Sequence, residues 1–231
     1  MKDQLLINPE QESEKIVNFL KKTFKEQNID KVVLGLSGGV DSATALYLLK
    51  KALPAKNIYA VQMDYNPRKK SDLNLKEINV VNISIKKIVD QFKVTDKMRL
   101  GNIMARVRMV ILFDLAKQLN ALVCGTENKS ERLLGYFTRF GDAASDLEPI
   151  SHLYKTQVFQ LAEYLKVPKS IIDQPPTAGL WDGQTDEKEF GFSYEEADQV
   201  LRNKKKNLPH AEKIMNRVKN NKFKLKTPYS L

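Results

Sequence analysis

Residues 31–53, KVVLGLSGGVDSATALYLLKKAL, constrain the fold more than any other stretch. Lys31 to Leu36 is a short apolar run rich in Val and Leu, the composition of a strand buried on both faces. Ser37, Gly38 and Gly39 make a turn that suits neither helix nor strand. Beyond Val40 the apolar residues recur at Ala43, Leu46, Leu49 and Ala52 or Leu53, a helical spacing. The order is therefore strand, glycine-rich turn, helix. The first N–H groups of a helix lack intrahelical partners, and the helix dipole adds partial positive charge there. Two glycines let a phosphate approach the backbone with no Cβ in the way. Ser37 and Ser42 add hydroxyls. A carboxylate at Asp41 repels phosphate, and it fits such a loop when Mg²⁺ sits between them. The loop is not the GxxxxGK[ST] phosphate loop, because no Lys follows the glycines. Ordinary helix capping by Ser, Gly and Asp is the bland alternative. Six specified residues between a buried strand and a helix argue against it.

The stretch sits in a chain of 231 residues, enough to bury a sizeable core. We expect one domain over 1–231, with no glutaminase domain. Apolar residues at 42% and charged residues at 29% are ordinary for a soluble globular protein. The single cysteine, Cys124, rules out an intrachain disulfide and agrees with a reducing compartment. No apolar run reaches spanning length, and MKDQLLINPEQESEK has no signal-peptide core, so a cytoplasmic protein without a membrane partner is expected. The formal charge of +10 points to nucleic acid or to polyanionic small molecules such as nucleotides. Much of the excess lies in 202–226 and reads chiefly as a solvated helical face and tail. Aromatic interleaving of the kind a single-strand binder uses is missing, so no nucleic-acid partner is expected.

The rest of the chain alternates in the same way. Residues 10–27 form an amphipathic helix, with Ile16, Val17, Phe19, Leu20 and Phe24 on one side. Asn57 to Met63 and Ile78 to Ile83 are strands, separated by a polar loop, 64–77, that contains Pro67. Ser84 to Phe92 looks helical, with Ser84 as its cap. Leu100 to Leu119 is a long helix, apolar over more than one face, which places it centrally in the core or at a subunit interface. Ala121 to Cys124 is a fourth strand, with Cys124 as a buried, inert thiol. Thr156 to Leu165 is helical, and Tyr194 to Lys205 and Pro209 to Asn220 are two closing helices. Between them, 173–191 is a long loop holding two adjacent prolines and the only Trp. Four strands alternating with helices predict an α/β fold: a parallel sheet with helices on both faces, Rossmann-like. Ligands in such sheets bind at the carboxyl ends of the strands.

Four polar clusters are candidates for that site. Gly35 to Ser42 is the first. Gly125 to Glu131 is the second, where Glu131 either faces Asp41 across the strand ends or serves as a helix N-terminal acid, an even choice on spacing. Arg106 and Arg108 form the third, set in a mostly apolar helix, so they face either an anionic ligand or the solvent edge. Phe137 to Asp142, running on to Asp146 and Lys155, is the fourth.

SGGVDS is similar to the pyrophosphate loop of the ATP pyrophosphatase superfamily, whose fold is of the adenine nucleotide alpha hydrolase type. Together GLSGGVDS, ARVRM, GTENKSE, GYFTRFGDAASDLEPI and QPPTAGLWDGQTDEKEFGFSYEE resemble ammonia-dependent NAD synthetase, in order, from about Val32 to Leu201. The resemblance implies a ligase that adenylates the nicotinate carboxylate of deamido-NAD with ATP, then forms the C–N bond with ammonia. It implies that Asp41 and Glu131 bind Mg²⁺ and serve catalysis. It places Gly35, Leu36, Ser37, Gly38, Gly39, Val40, Asp41, Ser42, Thr126, Lys155 and Thr177 on ATP. Arg106, Arg139, Asp146 and Lys224 fall on deamido-NAD. Arg139 stands where the family usually has Lys, which keeps the charge and changes the donor geometry. Phe223 precedes Lys224 where the family has His. A homodimer is implied, with 100–119 as the candidate interface.

Two rivals remain on sequence. A tRNA thiolase of the same superfamily suits the charge, yet sulfur transfer needs reactive cysteines. A nucleotide-binding regulator without turnover suits the loop, yet leaves Asp41 and Glu131 without a task. Loops 64–77 and 181–192 are expected to close over the substrates.

Overall fold

The structure is a computed structural model that describes residues 5–66, 72–177, 183–203 and 207–226. Helix α1 (Pro9–Gln27) starts where Asn8 accepts the Gln11 N–H and Pro9 takes the first turn, and it stops at Asn28 in the left-handed region. It buries Ser13, Ile16, Val17, Leu20 and Phe24, whereas Phe19 is exposed.

Four strands follow: β1 (Lys31–Gly35), β2 (Ile58–Asp64), β3 (Asn79–Ser84) and β4 (Ala121–Cys124). They form one parallel sheet in the order β3-β2-β1-β4. In the centre, Val32 pairs with Ile58 on one side and with Leu122 on the other. Side chains alternate along β1. Val32 and Leu34 pack with α1, α2 (Val40–Ala52) and α6 (Lys155–Tyr164). Val33 packs on the opposite face, against α3 (Lys86–Asp90) and α4 (Lys97–Leu119). That two-sided burial is why the run from Val32 to Leu34 is continuously apolar.

Topology positions the site. The chain leaves β1 for β2 and β3 on one side, then returns to β4 on the other. The order reverses between β1 and β4, and ligands bind at such a switch point, beyond the carboxyl ends of the strands. After β4 a short segment runs along its edge. Gly125 N–H donates to Leu147 O and Asp146 N–H to Val123 O, each at 2.9 Å.

The remaining helices are α5 (Lys129–Leu134), α7 (Lys169–Ile172), α8 (Asp186–Phe190), α9 (Tyr194–Asn203) and α10 (Ala211–Asn221). A separate core joins α5 to α8, α9 and α10 through Leu134, Phe190, Phe192, Tyr194, Val200 and Ile214. Tyr136 meets Phe190 edge to face, with ring centroids 4.5 Å apart.

Three expectations shift. Ser84 ends β3 instead of capping a helix. Ile85 precedes α3, with no side-chain cap, and the Ser84 hydroxyl accepts the Lys86 N–H at 3.4 Å. Helix α4 begins three residues early because Asp96 accepts the Arg99 N–H at 2.8 Å. The stretch 173–191, read as a loop, contains α8, which Gly191 closes at φ 71°. Of the two loops expected to close, 67–71 and 181–182 lie outside the described residues, and so does Trp181. Among the described residues no helix is long and apolar enough to cross a membrane.

Candidate active site

The turn between β1 and α2 is shaped for an anion. Gly38 has φ +83°, a conformation that other residues rarely adopt. Gly39 caps α2 with no side-chain hydrogen bond, so neither Ser nor Asp occupies the helix start in the ordinary capping role. Ser37 and Ser42 are instead tied to the loop itself. Their hydroxyls lie 3.0 Å apart, Gly39 N–H donates to Ser37 Oγ, and Ser42 Oγ donates to Gly39 O. The start of a 13-residue helix therefore faces outward from the strand ends.

Asp41, in the first turn of α2, meets two residues from other elements. Lys155 Nζ lies 2.5 Å from Asp41 Oδ2 and 3.2 Å from Glu131 Oε1. Asn128 Nδ2 donates to Asp41 Oδ1 at 2.9 Å. Glu131 serves both roles that its sequence position left open. Its Oε2 accepts the Asn128 N–H in a capping box at the start of α5, while Oε1 faces the Lys155 ammonium. Burial raises the Glu131 carboxyl, and Asp41 adds to this against Lys155. Burial alone would lower Lys155, but Asp41 and Glu131 outweigh it and hold the ammonium above its ordinary value.

Lys155 is 2% exposed, and its place is fixed from behind. Its backbone N–H donates to Ser130 Oγ at 2.8 Å, and Ser130 in turn donates to Asp198. Asp198 Oδ2 also accepts from Thr156 N and Oγ1, each at 2.9 Å. Lys155 Nζ lies 5.2 Å from the centre of the Tyr194 ring, whose hydroxyl donates to buried Asp186. Thr177 joins the same region, since its hydroxyl donates to Gln184, which donates to the Tyr136 hydroxyl.

Lys155 shows that the two carboxylates can share one cation. They are hard oxygen ligands on separate elements, and no group of three or more His, Cys, Asp or Glu gathers among the described residues. Two carboxylates completed by phosphates and water is the usual Mg²⁺ arrangement. The residues present thus fit that ion.

The residues expected on deamido-NAD lie further out. Arg106 donates to Arg139 O at 3.3 Å, Arg139 to Lys226 O at 2.7 Å, and Lys224 to Gly135 O and Phe137 O at 2.8 and 3.0 Å. Three cationic side chains thereby share one surface around 135–139. Asp146 is exposed, yet its Oδ2 accepts the Val123 N–H at 2.7 Å, so one oxygen is held by the sheet edge. Phe223 is 49% exposed beside Lys224. Thr126 is half-buried in the turn after β4. Cys124 is buried, its thiol raised well above the ordinary value by burial, and it is no nucleophile.

Glu127, Asn128 and Ser130 fall within the second polar cluster of the sequence, which gave them no role, and Asp186 and Asp198 lie outside all four clusters. Asn128 carried a signal, because Asn followed three residues later by Glu is a capping-box pattern. Asp198 carried none, for its partners are more than 40 residues away in sequence.

A parallel sheet with an SGGVDS turn at its switch point, whose Asp41 faces Glu131 across Lys155, defines a nucleotide-handling α/β enzyme of the pyrophosphate-releasing kind. Residues 12–228 match the NAD synthase family, and the chain belongs to it. The NH₃-dependent NAD⁺ synthetase of Fusobacterium nucleatum subsp. nucleatum is 45% identical over 210 residues, covering 86% of this chain and 81% of that one. Among solved structures, NMN synthetase from Francisella tularensis superposes with a TM-score of 0.89 at 38% identity, covering 98% and 99% of the two chains. NH₃-dependent NAD synthetase from Campylobacter jejuni subsp. jejuni superposes with a TM-score of 0.80 at 34% identity, covering 98% and 100%.

Proposed function

We propose that this chain, as a single domain, is an ammonia-dependent NAD⁺ synthetase, a ligase that joins ammonia to the nicotinate carboxylate of deamido-NAD at the expense of ATP. In the first step a carboxylate oxygen attacks the α-phosphorus of ATP, and pyrophosphate leaves. The α2 N-terminus, with Ser37, Ser42 and the Lys155 ammonium, would hold that leaving group, a role that the start of a 13-residue helix and the Lys155–Asp41 pair support. Mg²⁺, when bound through Asp41 and Glu131, would supply neutralising charge on the phosphates. In the second step ammonia attacks the acyl carbon of the adenylate, AMP leaves, and the nitrogen loses a proton. No protein nucleophile is required, in keeping with Cys124. Arg106, Arg139 and Lys224 offer the cationic surface for the dinucleotide phosphates. The protein's work is then largely orientation of two nucleotides. We place this work in the cytoplasm and in a homodimer joined through α4.

One observation carries this reading: Asp41, Glu131 and Lys155 arrive from three different elements and converge at the β1/β4 switch point. The test is NAD⁺ formation from deamido-NAD, ATP, Mg²⁺ and ammonium, beside Asp41→Ala. Turnover lost in the variant supports the assignment, and no turnover in the wild type overturns it. The Francisella tularensis relative gives a second reading, amidation of nicotinate mononucleotide to NMN. A parallel assay with that mononucleotide decides, because the preferred acceptor shows the higher kcat/KM.

A further inference from the structure

The nitrogen substrate reaches the enzyme at neutral pH chiefly as ammonium, a monovalent cation, whereas the groups described above answer to phosphates and a divalent ion. A second acidic group lies immediately beside them. Glu127 follows the β4 turn and directly precedes Asn128, the residue bonded to Asp41. Its own N–H donates to Glu148 Oε2 at 3.1 Å, and Ser145 donates to Glu148 Oε1 at 2.8 Å. Glu148 lies so close to Gly125 that a Cβ at 125 would collide with its carboxylate, so glycine there is what admits the acid. Glu127 is 8% exposed. Its Oε2 reaches Arg132 only at 3.5 Å, and its Oε1 is buried with no hydrogen-bond partner among the described residues. Asp142, Arg132 and Cys124 also bear on the pair. Two acids face one half-exposed guanidinium, so whenever both are ionised one negative charge is left without a cation. A buried carboxylate oxygen without a donor is costly, and a native fold keeps one when something else supplies the donor.

We propose that Glu127 and Glu148 form the ammonium site of this enzyme, holding NH₄⁺ next to the adenylation site until the acyl-adenylate is made. The assignment rests on the amidation reading. Ammonium is a small cation with four N–H donors, which suits an orphaned acceptor and lets two neighbouring acids ionise together. The pair also has the basicity to release the nucleophile. Burial raises Glu127 to about 8, with Glu148 adding and Arg132 opposing. Burial raises Glu148 to about 7 against the hydrogen bonds from Ser145 and Glu127 N–H. The step balances simply. NH₄⁺ gives one proton to a carboxylate, and the freed NH₃ lone pair forms the C–N bond. The acyl C–O bond to AMP breaks, the amide nitrogen sheds a second proton to water, and the carboxyl then returns its own to water.

Two measurements test this. The ligand-free wild type is examined with Tl⁺, an ammonium-sized cation, by anomalous scattering. Steady-state kinetics of Glu127→Gln and Glu148→Gln are then taken with ammonium and with hydroxylamine, which is mostly neutral at neutral pH. We expect Tl⁺ between the two carboxylates. We also expect an ammonium KM raised about 10-fold or more, with the KM of ATP and of deamido-NAD unchanged and hydroxylamine use largely kept. No Tl⁺ at the pair, an unchanged ammonium KM, or equal losses with both nucleophiles would overturn the site while leaving the synthetase intact. A wild type that amidates nothing would overturn the parent reading, and the ammonium assignment with it.

Discussion

At the scale of single residues, Lys155 is the internal cation of the site. Its ammonium satisfies two carboxylates that would otherwise face each other in a dry setting. Removing one member of such a group leaves uncompensated buried charge, a change worth about 3–5 kcal/mol. Lys155→Met is therefore expected to lower unfolding free energy by about that amount in urea titrations, and added Mg²⁺ is expected to restore part of it. A variant that Mg²⁺ does not help would argue against Asp41 and Glu131 as a shared metal site. Glu127 behaves in the opposite way. Its carboxyl is raised from 4.5 to about 8, so the native state binds more protons than the unfolded chain between those values. Stability then falls as pH rises through that window. Glu127→Gln removes the penalty and is expected to stabilise the chain by roughly 5 kcal/mol above pH 8, with little change below pH 4.5. Unfolding curves at the two ends of the window check this, and equal shifts at both would refute it. Asp41 was legible at this scale because a carboxylate in a phosphate turn is chemically odd. Glu127 was not, since acids near a helix start are commonplace and only the fold reveals the orphaned oxygen.

Elements carry the next level of the design. Helix α6 has no acidic residue in its first turn, and Asp198 from α9 takes that place by accepting from Thr156 while also holding Ser130 of α5. One carboxylate thus locks three helices and sets the height of Lys155. Asp198→Ala would strand a buried hydroxyl and a helix N–H, and a loss of about 2–4 kcal/mol is expected, together with a raised KM for ATP. Asp198→Asn keeps an acceptor and is expected to lose less. Equal ATP KM values in wild type and Asp198→Ala would show the clamp to be purely structural. Sequence patterning recovers elements to the degree that their reasons are local. The four strands were visible because β-branched runs sit between polar breaks, and α1 because Asn8-Pro9 and an apolar stripe mark it. Helix α8 was hidden, for its five residues are held by tertiary burial of Phe190 and Asp186, not by any period in the sequence.

For the whole molecule, the unsolved element is α4. Its 23 residues are apolar on more than one face, yet one chain buries only Gly101, Met104 and Ala116 among them. Val110 is 60% exposed, and Val107, Ile111, Leu112 and Phe113 are only partly covered by the second core. The sequence offered two reasons for such a helix, central burial or a subunit interface, and the fold gives central burial to one face only, that of Gly101, Met104 and Ala116. A helix that leaves Val110 and part of its apolar surface uncovered favours a second surface, which in the homodimer proposed above a second copy of α4 would supply by two-fold symmetry. Val110→Asp separates the alternatives. In a monomer an exposed Val→Asp change costs little. In a dimer it places two carboxylates against apolar partners near the symmetry axis. We expect the wild type to sediment as a dimer and Val110→Asp as a folded monomer with unchanged circular dichroism. Because Arg106 lies on this same helix, we also expect the variant's KM for deamido-NAD to rise more than its KM for ATP. A wild type that stays monomeric at micromolar concentration would sink the interface, and the exposed stripe of α4 would then need a different partner.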